Sequence, residues 1–182
     1  RGVLDTPGVL EALASVDAVF PIVHGPLGED GTLQGLLELA GIPYVGAGVA
    51  ASAIGMDKEL MRGVFASAGL PQAQYDVLRD GDVDAPPEQR LREIEQHLGF
   101  PCFVKPANGG SSVGVSKARS REDLAGAIHE AGRFDRKVVI EEAIAGREVE
   151  CAILGNSAPQ ASPLGEITPR AEFYTYEAKY AD

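Results

Sequence analysis

The sequence predicts a mixed α/β fold, in which part of a parallel-sheet domain precedes a central α+β domain. The apolar run 17–23 ends in a glycine-rich turn that leads into a helical pattern, as is typical of a strand buried on both faces of a parallel sheet. Segments 100–105 and 112–117 flank a Gly- and Ser-rich stretch, which indicates a hairpin. A chain of 182 residues, 45% of them hydrophobic, is long enough to bury a core.

The first domain is predicted to end at residue 56, so that 1–56 are the C-terminal part of an N-terminal domain. Leucines at helical spacing predict a helix over 32–40, which Gly41 ends. A short apolar piece and a small-residue stretch at 46–55 follow, and the latter is expected to form a loop and a short helix.

The second domain is predicted to span 57–182. Asp57 is a suitable N-cap for a helix over 58–68. A polar, Pro-containing turn is predicted at 80–87, and Pro86 and Pro87 are suited to open another helix that runs to residue 98. Ser120 begins a capping-box-like sequence for a third helix, to residue 131. The predicted strands of this domain are 75–78, 100–105, 112–117, 137–141 and 147–154.

Composition excludes several classes of function. The chain carries 16 Lys and Arg against 27 Asp and Glu, a net charge of −11 that argues against a nucleic-acid partner. Its two cysteines lack metal-ligand spacing, which argues against a zinc site or a disulfide scaffold. No stretch is apolar enough to span a membrane, so we expect a cytoplasmic protein with no membrane partner.

A Gly- and Ser-rich loop at 106–112 is the first candidate site. Its glycines allow backbone N–H groups to converge on a phosphate, and Ser111 and Ser112 add hydroxyl donors; an ordinary hairpin turn is the alternative. Lys105 ends an apolar strand, where an ammonium is costly unless it meets an anion. Lys58 follows a Gly-rich segment; either lysine alone could instead be a solvated surface residue.

Acidic residues follow the strand at 137–141. The strand edge at Glu141 and Glu142 could accept a hydrogen bond from the exocyclic amine of adenine, and Glu148 could accept hydrogen bonds from ribose hydroxyls. The alternative is a charged strand end that is exposed to solvent.

Two further segments have candidate roles. Segment 24–31 follows the first apolar run and opens a helix, a position where α/β sheets usually bind ligands, although His24 and Asp30 could be structural. Segment 173–180 mixes aromatics with a Glu and a Lys; a closure loop over an active site would explain it, and a surface loop is the alternative.

In order and spacing, these strings resemble the D-alanine-D-alanine ligase branch of the ATP-grasp superfamily. The matching pieces are His24-Gly-Pro-Leu-Gly-Glu-Asp-Gly-Thr-Leu-Gln-Gly35, Tyr44-Val-Gly-Ala-Gly48, Met56-Asp-Lys58, Phe103-Val-Lys-Pro106, Gly110-Ser-Ser-Val-Gly114, Ile140-Glu141, Gly146-Arg-Glu148 and Tyr176-Glu-Ala-Lys-Tyr180. The resemblance covers roughly residues 17–182 and implies an ATP-grasp fold.

The resemblance also implies roles for individual residues. ATP would be bound by Lys58, Lys105, Gly110, Ser111, Ser112, Glu141, Glu142, Ala143, Ile144 and Glu148. His24 and Glu29 would lie near the bound amino acid. Ser111 and Tyr180 would join a hydrogen-bonded group that ties the loop across the first substrate site, and Lys179 would lie near the transferred phosphate.

The implied reaction joins two D-alanines through a D-alanyl phosphate, for the synthesis of peptidoglycan precursors. ATP and Mg²⁺ or Mn²⁺ are the implied cofactors, with the metal held mainly by residues outside this chain, and a homodimer is left open. Because an N-terminal Gly-rich segment and a C-terminal metal-binding portion are not in the sequence, the chain alone is expected to be inactive. The rivals are another ATP-grasp carboxylate-amine ligase, such as a D-alanine-D-lactate ligase, and a nucleotide-binding module without catalysis.

Overall fold

The computed structural model describes residues 8–168 of the chain. Within this range the helices are α1 (Val9–Ala14), α2 (Thr32–Ala40), α3 (Val49–Met56), α4 (Lys58–Ser67), α5 (Gly81–Asp84), α6 (Glu88–Leu98) and α7 (Arg121–Gly132). The strands are β1 (Tyr75–Arg79), β2 (Cys102–Pro106), β3 (Ser116–Ala118), β4 (Lys137–Glu142), β5 (Glu148–Glu150), β6 (Ile153–Leu154), β7 (Gln160–Ala161) and β8 (Gly165–Ile167). The predicted mixture of helix and sheet is confirmed.

A four-stranded antiparallel sheet lies at the centre of the described region, with the strand order β1-β4-β2-β3. In its register Val104 of β2 lies opposite Ile140 of β4 and Ser116 of β3. The pairing of β2 with β3 confirms the hairpin that the sequence predicts. Strands β5 and β8 form one two-stranded sheet, and β6 and β7 form another.

The hydrophobic core lies on one face of the four-stranded sheet, between the strands and α5, α6 and α7. Alternate residues of each strand face it, because successive side chains of a strand point to opposite faces. The core side chains with no more than 2% exposure are Leu78, Val83, Ile94, Cys102, Val104, Ala118, Leu124, Ile128, Ala131, Val138 and Ile140. This packing fixes the position of the opposite face, where Lys105 and Glu141 lie.

The predicted helix ends are confirmed by their capping contacts. The Asp57 carboxylate accepts from the N–H groups of Glu59 and Leu60 in the first turn of α4, at 3.1 and 3.2 Å. The Ser120 hydroxyl accepts from the Asp123 N–H at the start of α7. Gly41 ends α2 with a left-handed φ of 67°, a conformation that favours glycine.

The prediction of a doubly buried strand at 17–23 is wrong. Only Val19 pairs, in a single parallel bridge with Tyr44, which confirms the expected direction but not a continuous ladder. Pro21 has no N–H with which to extend the ladder, and Ile22 is 78% exposed. Within residues 8–168 no further strand pairs with this segment, so its apolar side chains lack a covering layer.

Three predicted boundaries also change. The strand predicted at 112–117 begins only at Ser116, because Ser111 and Ser112 have left-handed φ angles of 51° and 60° that a strand does not allow. The strand predicted at 147–154 is divided into β5 and β6, which pair with different partners. The turn predicted at 80–87 contains the short helix α5.

No helix among residues 8–168 combines the length and the apolar character needed to span a membrane.

Candidate active site

A cleft of about 430 Å³ lies over the face of the sheet opposite the core. The loop between β2 and β3, hereafter the 107–115 loop, forms one wall, and the end of β4 forms the other. The sequence-predicted residues that line it are Lys58, Lys105, Gly110, Ser111, Ser112, Glu141, Glu142, Ile144 and Glu148. The structure therefore brings nine of the ten residues named for ATP to one cavity.

Lys58 enters the cleft from the first turn of α4. Its ammonium donates to the carbonyl of Gly109 at 2.8 Å and to that of Ala107 at 3.4 Å, so it lies beneath the 107–115 loop. Burial lowers the pKa of Lys58, the nearby Lys105 ammonium lowers it further, and the Glu141 carboxylate opposes both effects. An anion in the cleft would offset this cost of burying positive charge.

Interactions at the N-terminus of α4 hold Lys58 in place. Its backbone N–H donates to the Ala107 carbonyl at 3.0 Å. The neighbouring Asp57 carboxylate pairs with Lys137 of β4 at 2.5 Å, and this contact helps to hold the pKa of Asp57 below its usual value despite burial. Helix α4 is thereby fixed both to the sheet and to the base of the loop.

Lys105 lies on the cleft face of β2 and pairs with Glu141, its neighbour on β4. The same carboxylate also pairs with Arg62, which is one helical turn after Lys58 on α4. A second guanidinium nitrogen of Arg62 donates to the Ala73 carbonyl at 3.2 Å, and the group lies 4.7 Å from the centre of the Tyr75 ring. Lys105, Glu141 and Arg62 thus form an ionic network, of which Lys105 and Glu141 line the cleft.

The 107–115 loop has a backbone shape that β-strands do not adopt. Its residues Ser111, Ser112 and Gly114 all have left-handed φ angles. The base of the loop is fixed by Asn108, whose backbone and side-chain N–H groups donate to Asp135 at 2.7 and 2.8 Å. Left-handed residues of this kind occur in the concave backbone turns that bind phosphates, and in this loop the N–H groups of Val113 and Val115 donate within the loop itself.

The residues after β4 form the far end of the cleft. The Glu142 carboxylate accepts from the Gln74 N–H at 2.8 Å, which ties this segment to the chain before β1. Ile144 and Glu148 are exposed and line the cleft. Ala143 lies between them but not on the cleft wall, and its N–H donates to the Pro101 carbonyl at 3.3 Å.

His24 and Glu29 lie in the glycine-rich turn before α2, on another side of the 107–115 loop. The Glu29 carboxylate accepts from the Gly25 N–H, and its other oxygen is 4.0 Å from Nδ1 of His24. Glu29 lines a cavity of about 640 Å³ that it shares with Lys58 and Gly110. His24 lines a third cavity, of about 410 Å³, with Gly110 and Ser111.

Asp30 has a structural role in this turn. Its carboxylate accepts from the backbone N–H groups of Leu27 and Thr32 at 2.7 and 2.9 Å, which lowers its pKa although some burial opposes the shift.

Several residues of the cleft were not identified from the sequence. They are Ala73, Phe103, Val113 and Val115, which line it, and Arg62, which lies behind it in contact with Glu141. Spacing could have found two of them: Arg62 is four residues after Lys58 on one helix face, and Phe103 is two residues before Lys105 on one strand face.

Two predicted site residues, Lys179 and Tyr180, lie outside the described residues, as does the whole segment 173–180. Within residues 8–168, no group of three His, Cys, Asp or Glu side chains is placed to hold a metal ion.

Comparison with known proteins identifies the family. The family described as "D-ala D-ala ligase N-terminus" matches residues 3–47, and "D-ala D-ala ligase C-terminus" matches residues 64–182. The D-alanine--D-alanine ligase of Bacillus velezensis is 57% identical over 169 residues, which are 93% of this chain and 48% of that protein. The enzyme of the same name from Geobacillus kaustophilus is 56% identical over 168 residues, 92% of this chain and 46% of that protein.

Solved structures agree with this assignment. The D-alanine-D-alanine ligase from Coxiella burnetii matches with a TM-score of 0.77 and 43% identity, over 84% of this chain and 45% of that one. The VanG D-Ala:D-Ser ligase from Enterococcus faecalis matches with a TM-score of 0.79 and 40% identity, over 88% and 46%. The chain spans about half the length of the curated relatives it matches. The ATP-grasp fold that the motifs imply is confirmed, and the chain belongs to the D-alanine-D-alanine ligase family.

Proposed function

We propose that the protein containing this chain is an ATP-dependent ligase that joins two D-alanines through a D-alanyl phosphate, for peptidoglycan precursor synthesis in the cytoplasm. One observation carries the proposal: two ammonium groups and a loop rich in Gly and Ser meet over a single cleft with acidic side chains at its far end. The membership of the chain in the ligase family supports the same conclusion.

The cleft suits ATP at each of its parts. Lys58 and Lys105 supply positive charge for the phosphates, and the 107–115 loop supplies backbone and hydroxyl donors. The segment from Glu141 to Ile144 would hold adenine, with Glu148 on the ribose. The cleft's lining is therefore polar where phosphates would lie and partly apolar where the base would lie.

The chemistry needs positioning and charge neutralisation more than a protein nucleophile. The carboxylate of the first D-alanine attacks the γ-phosphorus of ATP, and ADP leaves. The amine of the second D-alanine then attacks the acyl carbon, and inorganic phosphate leaves as the peptide bond forms. The closed loop would keep water from the acyl phosphate.

Substrate-side residues follow from the position of the loop. Gly110 lines all three cavities, so the 107–115 loop can contact both the nucleotide and a ligand beside His24 and Glu29. We assign Ser111 and Tyr180 to the hydrogen-bonded group that closes the first D-alanine site, and Lys179 to the transferred phosphate. The divalent cation is assigned to residues outside the described range.

Replacement of either lysine tests the proposal in the gene product that contains this chain. Lys105→Met and Lys58→Met should each lower D-alanine-dependent phosphate release about 100-fold or more, because each removes a positive charge directed at the phosphates. Arg136→Gln is the matched control, since Arg136 is 90% exposed and lies just before β4, outside the cleft. Unchanged release in both lysine variants would contradict the proposal, and so would ADP binding without phosphate release by the unaltered protein.

A second acceptor class is the alternative within the same chemistry. The structural match to a D-Ala:D-Ser ligase favours testing D-serine, with D-lactate as the hydroxy-acid case. Phosphate release is measured with D-alanine as the first substrate and each of the three acceptors in turn. We expect the highest kcat/KM with D-alanine. A higher kcat/KM with D-serine or D-lactate would show that this other compound is the preferred acceptor.

A further inference from the structure

Arg62 lies behind the cleft, in contact with Glu141, and the proposed reaction gives it no role. Its side chain is 11% exposed, and its partner Glu141 is 13% exposed, so the pair is largely shielded from water. Arg62 comes from α4, whereas Glu141 comes from β4, 79 residues further along the chain. The contact therefore joins the helix that carries Lys58 to the strand that lies beside Lys105.

Glu141 has two cationic partners in the structure, Arg62 and Lys105. Lys105 is 24% exposed and lines the cleft, which places its ammonium where a polyphosphate would lie. A polyphosphate and Glu141 would thus compete for the same ammonium. A shielded carboxylate that loses its only counterion is costly, so a second cation on Glu141 decides how easily Lys105 changes partner.

We infer that Arg62 is a positioning residue for the nucleotide phosphates: by neutralising Glu141 permanently, it allows Lys105 to pair with phosphate. This inference rests on the proposed function, because it assumes that a nucleotide occupies the cleft. It goes further in assigning a role to a residue that does not itself line the cleft.

The contacts of Arg62 suit a permanent counterion. One end of its guanidinium binds Glu141, another donates to the Ala73 carbonyl, and the plane lies over Tyr75. These contacts keep Arg62 in place while Lys105, which reaches from β2 on a flexible stem, is able to move.

The test compares ATP with adenosine in the gene product that contains this chain, by calorimetric binding. Arg62→Met should raise the Kd for ATP about tenfold or more, as expected when one partner of a shielded charge pair is lost. The Kd for adenosine should change by no more than about twofold. Arg62→Lys should keep most of the ATP affinity, since the role needs the charge. Arg79→Gln is the matched control, because it removes an α4–β1 ion pair, with Glu59, that does not involve Glu141.

A double variant separates this role from a merely structural one. In the Glu141→Gln variant, Lys105 has no ion pair with residue 141 to break when phosphate binds. Adding Arg62→Met to this variant should therefore raise the Kd for ATP less than about threefold. Two results would overturn the inference and leave the proposed function standing. One is an equal loss of affinity for ATP and adenosine in Arg62→Met; the other is a loss of ATP affinity from Arg62→Met that is as large in the Glu141→Gln background as in the unaltered protein. If the unaltered protein binds no nucleotide, the proposed function fails, and the inference fails with it.

Discussion

The two faces of the four-stranded sheet give neighbouring residues opposite environments. Val104 and Ile140 face the core and are fully buried, whereas Lys105 and Glu141, the next residues along the same strands, form an ion pair in the cleft. Because side chains alternate along a strand, the same segments that build the core also place the charges of the site. Substitutions at adjacent positions of one strand should therefore affect different properties, the free energy of unfolding on the core face and ligand binding on the cleft face.

Burial shifts the pKa values of titratable groups in opposite directions on the two faces of the sheet. On the core face, burial raises the pKa of the Cys102 thiol to about 11, so that it stays neutral and packs as an apolar group. On the cleft side, burial lowers the pKa of the Lys58 ammonium. In both cases burial penalises the charged form. Lys58, however, lines a cleft in which an anionic ligand could favour the charged form again.

The largest expected effect comes from the core face. Ile140→Ala removes a fully buried side chain between β4 and the helices, and should lower the free energy of unfolding by about 2–5 kcal/mol. Urea denaturation followed by circular dichroism measures this.

The matched control for Ile140 is Ile144, the same residue type at the end of the cleft, where it is 69% exposed. Ile144→Ala should change the free energy of unfolding by no more than about 0.5 kcal/mol. Comparable losses in the two variants would contradict the division of the sheet into a stabilising face and a binding face.

An intermediate effect is expected where the 107–115 loop returns to the sheet. Gly114 has a φ of +68°, and an added Cβ would lie 2.6 Å from Cδ2 of Phe134 and 2.9 Å from Cγ of Pro106. Gly114→Ala should therefore cost about 1–3 kcal/mol of unfolding free energy, in addition to any effect on nucleotide binding. Thermal denaturation, with the same measurement on the unaltered protein, gives the difference.

Gly126, inside α7, is the control for this backbone argument. It has no neighbouring atom within 4 Å of an added Cβ, so Gly126→Ala should raise the unfolding free energy by about 0.5–1 kcal/mol, as alanine favours a helix interior. Stabilisation by both substitutions would show that the loop does not need its left-handed glycine.

The sequence predicted the elements whose signal is local. Strands β2 and β4 are largely apolar runs bounded by polar turns, and β1 is a short stretch of residues that favour strands. Helices α4 and α7 begin after Asp57 and Ser120, whose side chains do cap them. Segment 17–23 has an equally clear apolar pattern but makes one bridge, because the burial of a strand depends on partners that the pattern itself does not specify.

The site follows the same rule. Lys58 and Lys105 were candidates because one follows a Gly-rich stretch and the other ends an apolar strand, but either alone could be a solvated residue, and the resemblance to the ligase family favoured the site. Arg62 shares a helix face with Lys58, but nothing in the sequence indicated its role, since its partner Glu141 is 79 residues further along the chain. Long-range pairs of charges become visible only when the fold brings them together.

The smallest expected effect is a change in bound protons on the cleft side. Because burial and Lys105 lower the pKa of Lys58, part of the Lys58 population is neutral at a pH between that lowered value and its ordinary value of 10.5. A polyphosphate beside the ammonium favours the charged form, so ATP binding in this window should take up protons, and ATP affinity should fall as the pH rises through the lowered pKa. Calorimetry at a series of pH values up to 10.5, in buffers with different ionisation enthalpies, locates this window and measures the proton uptake.

Lys58→Arg is the variant that sharpens this last test. A guanidinium stays charged throughout the window, so the variant should bind ATP without the Lys58 share of proton uptake, even if its affinity changes. Equal uptake in the two proteins would assign the protons to another group. The cleft side would still differ from the core face in being open to a ligand. The protonation of Lys58 would then not account for the proton uptake.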